Sequence, residues 1–210
     1  MKLLKILFVV VILTIAAAIG FLFSVKADIK ESELPVSVYE ENGDLLTIIN
    51  ARLIELFFTS ASDEYTVTEE ILNLVVLDSI RENINPDYDP LNDCDTLECN
   101  YIIYDDNYYI KHIVVELVED DQFVVRVSLG SDKYVDYNTV FSFFFDVEIK
   151  YTDFEITLTL AKYHVGDKEL SMSIVDRIFK NLDKDEIENQ VSTGVLDLEE
   201  YTYTISLSPF

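Results

Sequence analysis

Apolar positions divide the chain into three regimes. From Ile6 to Val25 the residues are apolar almost without a break, with Thr14, Gly20 and Ser24 as the interruptions. As a helix this run is about 30 Å long, the thickness of a bilayer's hydrocarbon core. Its backbone groups satisfy one another, so it can sit in lipid. Helical spacing comes next. Leu45, Ile48, Ile49, Leu53, Ile54, Leu56 and Phe57 predict a helix over Leu45 to Phe58. A second is expected from Val67 to Asn83, with Thr66 and Glu69 at capping-box spacing and Ile71, Leu74, Val75 and Asp78 on one side. Asn85-Pro86 ends it.

Beyond an irregular acidic loop, Pro86 to Asn100, the period changes to two. Tyr108 to Val118 and Phe123 to Leu129 flank Glu119-Asp120-Asp121-Gln122 as in a hairpin. Val140 to Tyr151 follows, with Phe143, Phe145, Val147, Ile149 and Tyr151 on one face. Phe154, Ile156, Leu158 and Leu160 then alternate with Glu155, Thr157 and Thr159, the pattern of a half-buried strand. His164 to Asp167 predicts a turn, Ser173 to Leu182 a helix, and Tyr201 to Leu207 a closing strand. Helices before a run of strands indicate α+β: an N-terminal transmembrane helix, then helices packed on a curved antiparallel sheet. The expected division is an anchor or signal over 1–27, a polar stalk over 28–44 containing Pro35, and one extracytoplasmic domain over 45–210.

The apolar run reads as a retained anchor. Signal peptides carry shorter apolar regions, although a cut after Val25-Lys26-Ala27 would release a secreted domain beginning at Asp28. Lys2 and Lys5 precede the run, and a short N-terminus usually stays inside. The expectation is therefore a single-pass protein of the cell membrane with its C-terminal domain outside. Charge narrows the partners. The 210-residue chain carries 40 acidic and 15 basic residues, a net −25. No acidic residue precedes Asp28, so the domain holds all of them. Nucleic acid is excluded as a partner, since phosphate binding needs Lys and Arg. Anionic headgroups would also repel the domain.

Cys94 and Cys99 are the two cysteines. An oxidising exterior favours a disulfide between them, closing a short loop. Around them Asp87, Asp89, Asp93, Asp95 and Glu98 fall at the ligand spacings of an EF-hand calcium loop. Leu91 stands where an oxygen ligand belongs and Asn92 where the turn glycine belongs. A solvated acidic loop is the stronger reading, calcium the alternative, and no other cofactor is expected.

No phosphate-binding glycine loop, nucleophile elbow or zinc-protease motif is present, and His112 and His164 stand apart in sequence. No catalytic constellation emerges, so an enzyme is not expected. With 13 Phe and 13 Tyr and no Trp, the aromatic strand Phe141 to Phe145 reads first as core, and the functional alternative is a sheet face lining an apolar pocket. Phe143, Phe145, Ile156 and Leu158 are the candidate pocket lining, with a helix as lid. The functional expectation is a membrane-anchored binding domain that holds a lipid or other apolar ligand. The alternative is a non-catalytic interaction subunit of a cell-envelope complex.

The early helix, Ile48 to Phe58, and the strand, turn and helix from Phe154 to Leu182 through Tyr163-His164-Val165-Gly166 resemble the YpmS-type family of membrane-anchored bacterial proteins. The resemblance covers the C-terminal half and implies one N-terminal span with an outward domain. It brings no catalytic residues.

Overall fold

The structure, a computed structural model, describes residues 24–40, 45, 47–52, 68–91, 97–105, 107–118, 122–132, 137–150, 155–173, 195–197 and 202–206. The fold is a sheet-rich α+β arrangement built on an open, wholly antiparallel sheet. In chain order the strands are β1 (Ile103–Tyr104), β2 (Tyr109–Val118), β3 (Gln122–Ser131), β4 (Tyr137–Lys150), β5 (Glu155–Val165), β6 (Lys168–Leu170), β7 (Val195–Asp197) and β8 (Thr202–Ser206). Their order across the sheet is β1-β2-β3-β4-β5-β8-β7, with β6 also paired to β5. The centre, β2 to β5, consists of the strands that period-two alternation predicts.

Two bulges set which side chain faces which way. The β2–β3 register shifts between Ile110 and His112, and the β4–β5 register shifts between Phe144 and Phe145, where Lys162 and then Leu160 are the partners. Ala161 is thus unpaired. An extra residue in one strand reverses the alternation beyond it. Leu158 and Leu160 therefore share a face with Phe145 and Val147, whereas Lys162 and His164 share the other face with Phe144 and Ser142.

Helix α2 (Glu69–Asn83) begins at Thr68, whose side chain accepts from the Ile71 amide at 3.4 Å. The cap is Thr68 and not Thr66, which lies outside the described residues. The helix buries Ile71, Asn73, Leu74, Leu77 and Ile80 and leaves Val75 exposed. This face is rotated from the expected one because α2 lies along the β2 edge, and a polar residue makes the contact there. The Asn73 Nδ2 donates to the Val115 carbonyl at 2.7 Å, and the Val115 amide donates to Asn73 Oδ1 at 2.9 Å. The Leu117 amide donates to Glu69 Oε1 at 2.8 Å. Two side chains so occupy an edge that would otherwise be open for pairing.

Residues 28–40, expected to lead away as a stalk, instead lie against the sheet. A 3-10 turn at Glu31–Glu33 and the short helix α1 (Val36–Tyr39) present Ile29, Leu34, Val38 and Tyr39 to the main core. There they meet Leu74, Leu77 and Ile80 of α2, Leu45, Ile49 of a helical stretch at 47–52, and Val114 and Val140 of the sheet. The four apolar residues sit irregularly around a turn and Pro35, so no helix or strand period betrays them. The remainder of the predicted helix to Phe58, the predicted helix to Leu182 beyond Ser173 and the apolar run through Phe23 lie outside the described residues. No helix among the described residues is long and apolar enough to cross a membrane.

Candidate functional site

The cleft is built on the face of the sheet that carries Val124, Val140, Ser142 and Phe144. Its volume is about 360 Å³, within the size range of small-ligand sites. Ala27, Val118, Val124, Val140 and Phe144 give it apolar walls. Glu116, Arg126, Ser142, His164 and Asp167 supply polar groups, and Gly166 closes one end.

Arg126 is fixed from two sides. Its Nη1 donates to Glu116 Oε1 at 2.6 Å and its Nη2 lies 3.6 Å from Glu33 Oε2. Glu33 also accepts from the Lys30 amide at 2.9 Å. That backbone bond, with Arg126 beside it, holds the Glu33 carboxyl below the usual carboxylate range. The guanidinium is therefore held in one place at the cleft without a rotamer search, which is the condition for orienting an anionic or dipolar group.

His164 reaches the cleft because of the Ala161 bulge. Its ring tilts against Phe144 with centroids 4.9 Å apart, and the Lys162 Nζ sits 4.6 Å from the centre of the same Phe144 ring. The Nε2 of His164 is buried and makes no hydrogen bond among the described residues; the Glu169 carboxylate is 3.7 Å away. His164 thus contributes its ring to the cleft wall, while Nε2 itself is closed off from solvent.

The predicted pocket lining lies on the opposite face. Phe143 and Phe145 point away from the cleft and pack with Leu160, Tyr163, Val165 and Val25. Phe143 stacks on Phe141 at 6.5 Å and on Tyr163 at 6.3 Å, and Phe145 stacks on Phe123 at 5.1 Å. Leu158 is half-buried on that same face. The Ile156 side chain lies outside what is described. Phe143, Phe145 and Leu158 thus lie on an aromatic layer, with the cleft on the face behind it. Phe143 and Phe145 lie on the aromatic face of β4, whereas Phe144 lies on the other face with Ser142, Asp146 and Glu148.

Of the proposed calcium ligands, Asp93 and Asp95 lie outside the described residues. The Asp89 Oδ1 accepts from the Leu91 amide at 3.1 Å, and the Asp87 amide donates to Asn85 Oδ1 at 3.1 Å. Glu98 falls in a 3-10 turn, Leu97–Asn100, followed by β1 in place of a helix. Among the described residues no group of His, Cys, Asp and Glu is arranged to hold a metal ion. Cys99 is buried and disulfide-bonded. The other cysteine of the chain, Cys94, lies outside the described residues.

The loop owes its position to Tyr88, which the sequence did not single out. It is 1% exposed, and its hydroxyl donates to the Lys111 carbonyl at 2.9 Å and lies 3.3 Å from His112 Nδ1. Tyr39 meets it edge-on at 6.2 Å. Burial holds the Tyr88 hydroxyl far above the usual phenol range, and the same cause pushes the His112 imidazole down to about 4. His112 is therefore a neutral core residue beneath α2 and not a cleft group.

No family model, curated protein or solved structure matches this chain.

Proposed function

We propose that the protein is a membrane-anchored extracytoplasmic domain that binds a small amphipathic ligand in the cleft around Arg126 and Phe144. The apolar run Ile6 to Val25 serves as its span, and the acidic domain lies outside. One observation supports this reading above the others. The cleft combines apolar walls with a fixed guanidinium, and one wall is Ala27, two residues after the apolar run ends. A polar head would meet Arg126, while an apolar tail would lie against Val118, Val124 and Phe144. The volume fits a headgroup with a short acyl segment, not a whole phospholipid.

The test is native mass spectrometry of the full chain in mild detergent, with hexylphosphocholine, a headgroup on one short chain, added below its micelle concentration. A one-to-one adduct is expected, weakened at least tenfold by Arg126→Ala and by Phe144→Ala, with far-ultraviolet circular dichroism unchanged. An adduct of equal strength in both variants, or none in the wild type, would remove the cleft from consideration.

A further inference from the structure

The end of the apolar run is locked into the domain. Val25 is 2% exposed, and its carbonyl accepts from Thr139 Oγ1 at 2.7 Å. The Ala27 amide donates to the Asn138 carbonyl at 3.1 Å, and the Gly166 amide donates to the Val140 carbonyl at 2.8 Å. The segment fills the place beside β4 that β5 vacates at its turn. Gly166 has φ +58°, and a Cβ there would lie 2.6 Å from the Val25 carbonyl oxygen. Lys168 Nζ bonds Ser24 Oγ across the same junction. No flexible spacer separates the apolar run from the sheet.

This junction sits at the end of the sheet where β2 begins, β3 ends, β4 begins and β5 ends. The tyrosines gather at that same end. Tyr109 lies over Gly130 and bonds Asn138, the residue whose carbonyl holds Ala27. Tyr101 and Tyr104 pack on Tyr109 with centroids at 5.0 and 6.4 Å. Tyr104 and Tyr108 are 42% and 44% exposed. From β5 to β1 the row crosses four strand spacings, about 20 Å. Exposed tyrosines are enriched at membrane interfaces, where the ring meets acyl carbons and the hydroxyl meets headgroups.

We propose that this end of the sheet rests directly on the bilayer, with Tyr104 and Tyr108 at headgroup level. The proposal rests on the reading of Ile6 to Val25 as a span. Asp105, Asp132, Asp167 and Glu169 lie at the same end beside Lys26 and Lys168, so the matching surface is zwitterionic, not anionic. Seated this way, the cleft wall at Ala27 and Gly166 lies next to the headgroups and the β2–β3 hairpin points away.

Because the chain has no Trp, each single Trp variant is its own reporter. Tyr104→Trp, Tyr108→Trp and Leu117→Trp full-length chains would be placed in phosphatidylcholine nanodiscs, with and without lipid brominated near the headgroup end of its acyl chains. Quenching of at least twofold is expected for Tyr104→Trp and Tyr108→Trp, and none for Leu117→Trp at the far end of β2. A chain that resides in the discs but shows no quenching, or equal quenching at all three positions, overturns the seating and leaves the span intact. A chain that fails to enter the discs overturns the span and the seating together.

Discussion

Asn73 and Val115 exchange two hydrogen bonds, one in each direction, at 2.7 and 2.9 Å. The side-chain amide thus behaves as a strand residue would, meeting both the donor and the acceptor of one edge position. Its Nδ2 also donates to the Glu69 carbonyl at 2.8 Å, which fixes the amide to its own helix. Helix α2 is therefore attached to the sheet by polar groups as well as by Leu74, Leu77 and Ile80.

Asn73→Ala leaves a buried amide and a buried carbonyl of Val115 without partners. Each such group costs about 1–3 kcal/mol. A loss of roughly 3 kcal/mol in unfolding free energy is expected by urea denaturation. Glu69→Ala removes one bond from the Leu117 amide at an exposed site. Its cost is expected to be below about 1 kcal/mol. Equal losses for the two would mean that the edge contacts are not additive in this way.

Gly166→Ala places a methyl group against the Val25 carbonyl and forces a left-handed backbone on alanine. The backbone alone costs roughly 1–2 kcal/mol. The neighbouring atom is backbone, so relief requires the N-terminal segment to move. Hydrogen exchange at the Ala27 amide, bonded to Asn138, is expected to accelerate at least tenfold. Unchanged protection at that amide would show that the junction gives way elsewhere.

Cys99 is bonded, and Cys94 is the one other cysteine. Thiol reagents should find no free thiol in the denatured, unreduced chain and two after reduction. A loop this short contributes about 2 kcal/mol through the unfolded state. Reduction should therefore lower the melting temperature by several degrees, and a free thiol before reduction would contradict the pairing.

The long strands β2 to β5 were legible because each alternates over many residues, long enough for a period of two to show. β1, β6 and β7 span two or three residues each, too short to carry a period. The segment at Ile29, Leu34, Val38 and Tyr39 looked like a stalk because its burial depends on a turn and on the sheet beneath it, not on local spacing. The same holds for Asn73, whose polarity set the expected face of α2 wrong by a quarter turn or so. The position of the cleft was not legible for a different reason. The bulge at Ala161 carries His164 to the face opposite Leu160, and an even spacing in sequence cannot reveal an unpaired residue. The tyrosines 101, 104, 108 and 109 stand close together in sequence, yet only the sheet brings them to the end where Ala27 enters.

His112 gives the fold a pH dependence with a definite sign. The ring is buried, and its pKa falls to about 4 through desolvation, aided by Lys111 and opposed by Asp28. In the unfolded chain the imidazole titrates near its ordinary value, about 6.5. The unfolded state therefore binds the proton first, and stability falls as pH drops from about 6.5 to about 4, then levels. The ceiling of the effect is roughly 3 kcal/mol, from 1.36 kcal/mol per pH unit. Glu33, held below its ordinary range, begins to lose its contribution as pH falls below about 4.5, at the foot of the His112 window. Urea midpoints measured from pH 7.5 to 4.5 are expected to fall for the wild type and to stay nearly level for His112→Gln. Tyr88→Phe removes the hydroxyl 3.3 Å from Nδ1 and should lower stability without removing the slope. A slope that survives His112→Gln would assign the titration to another group.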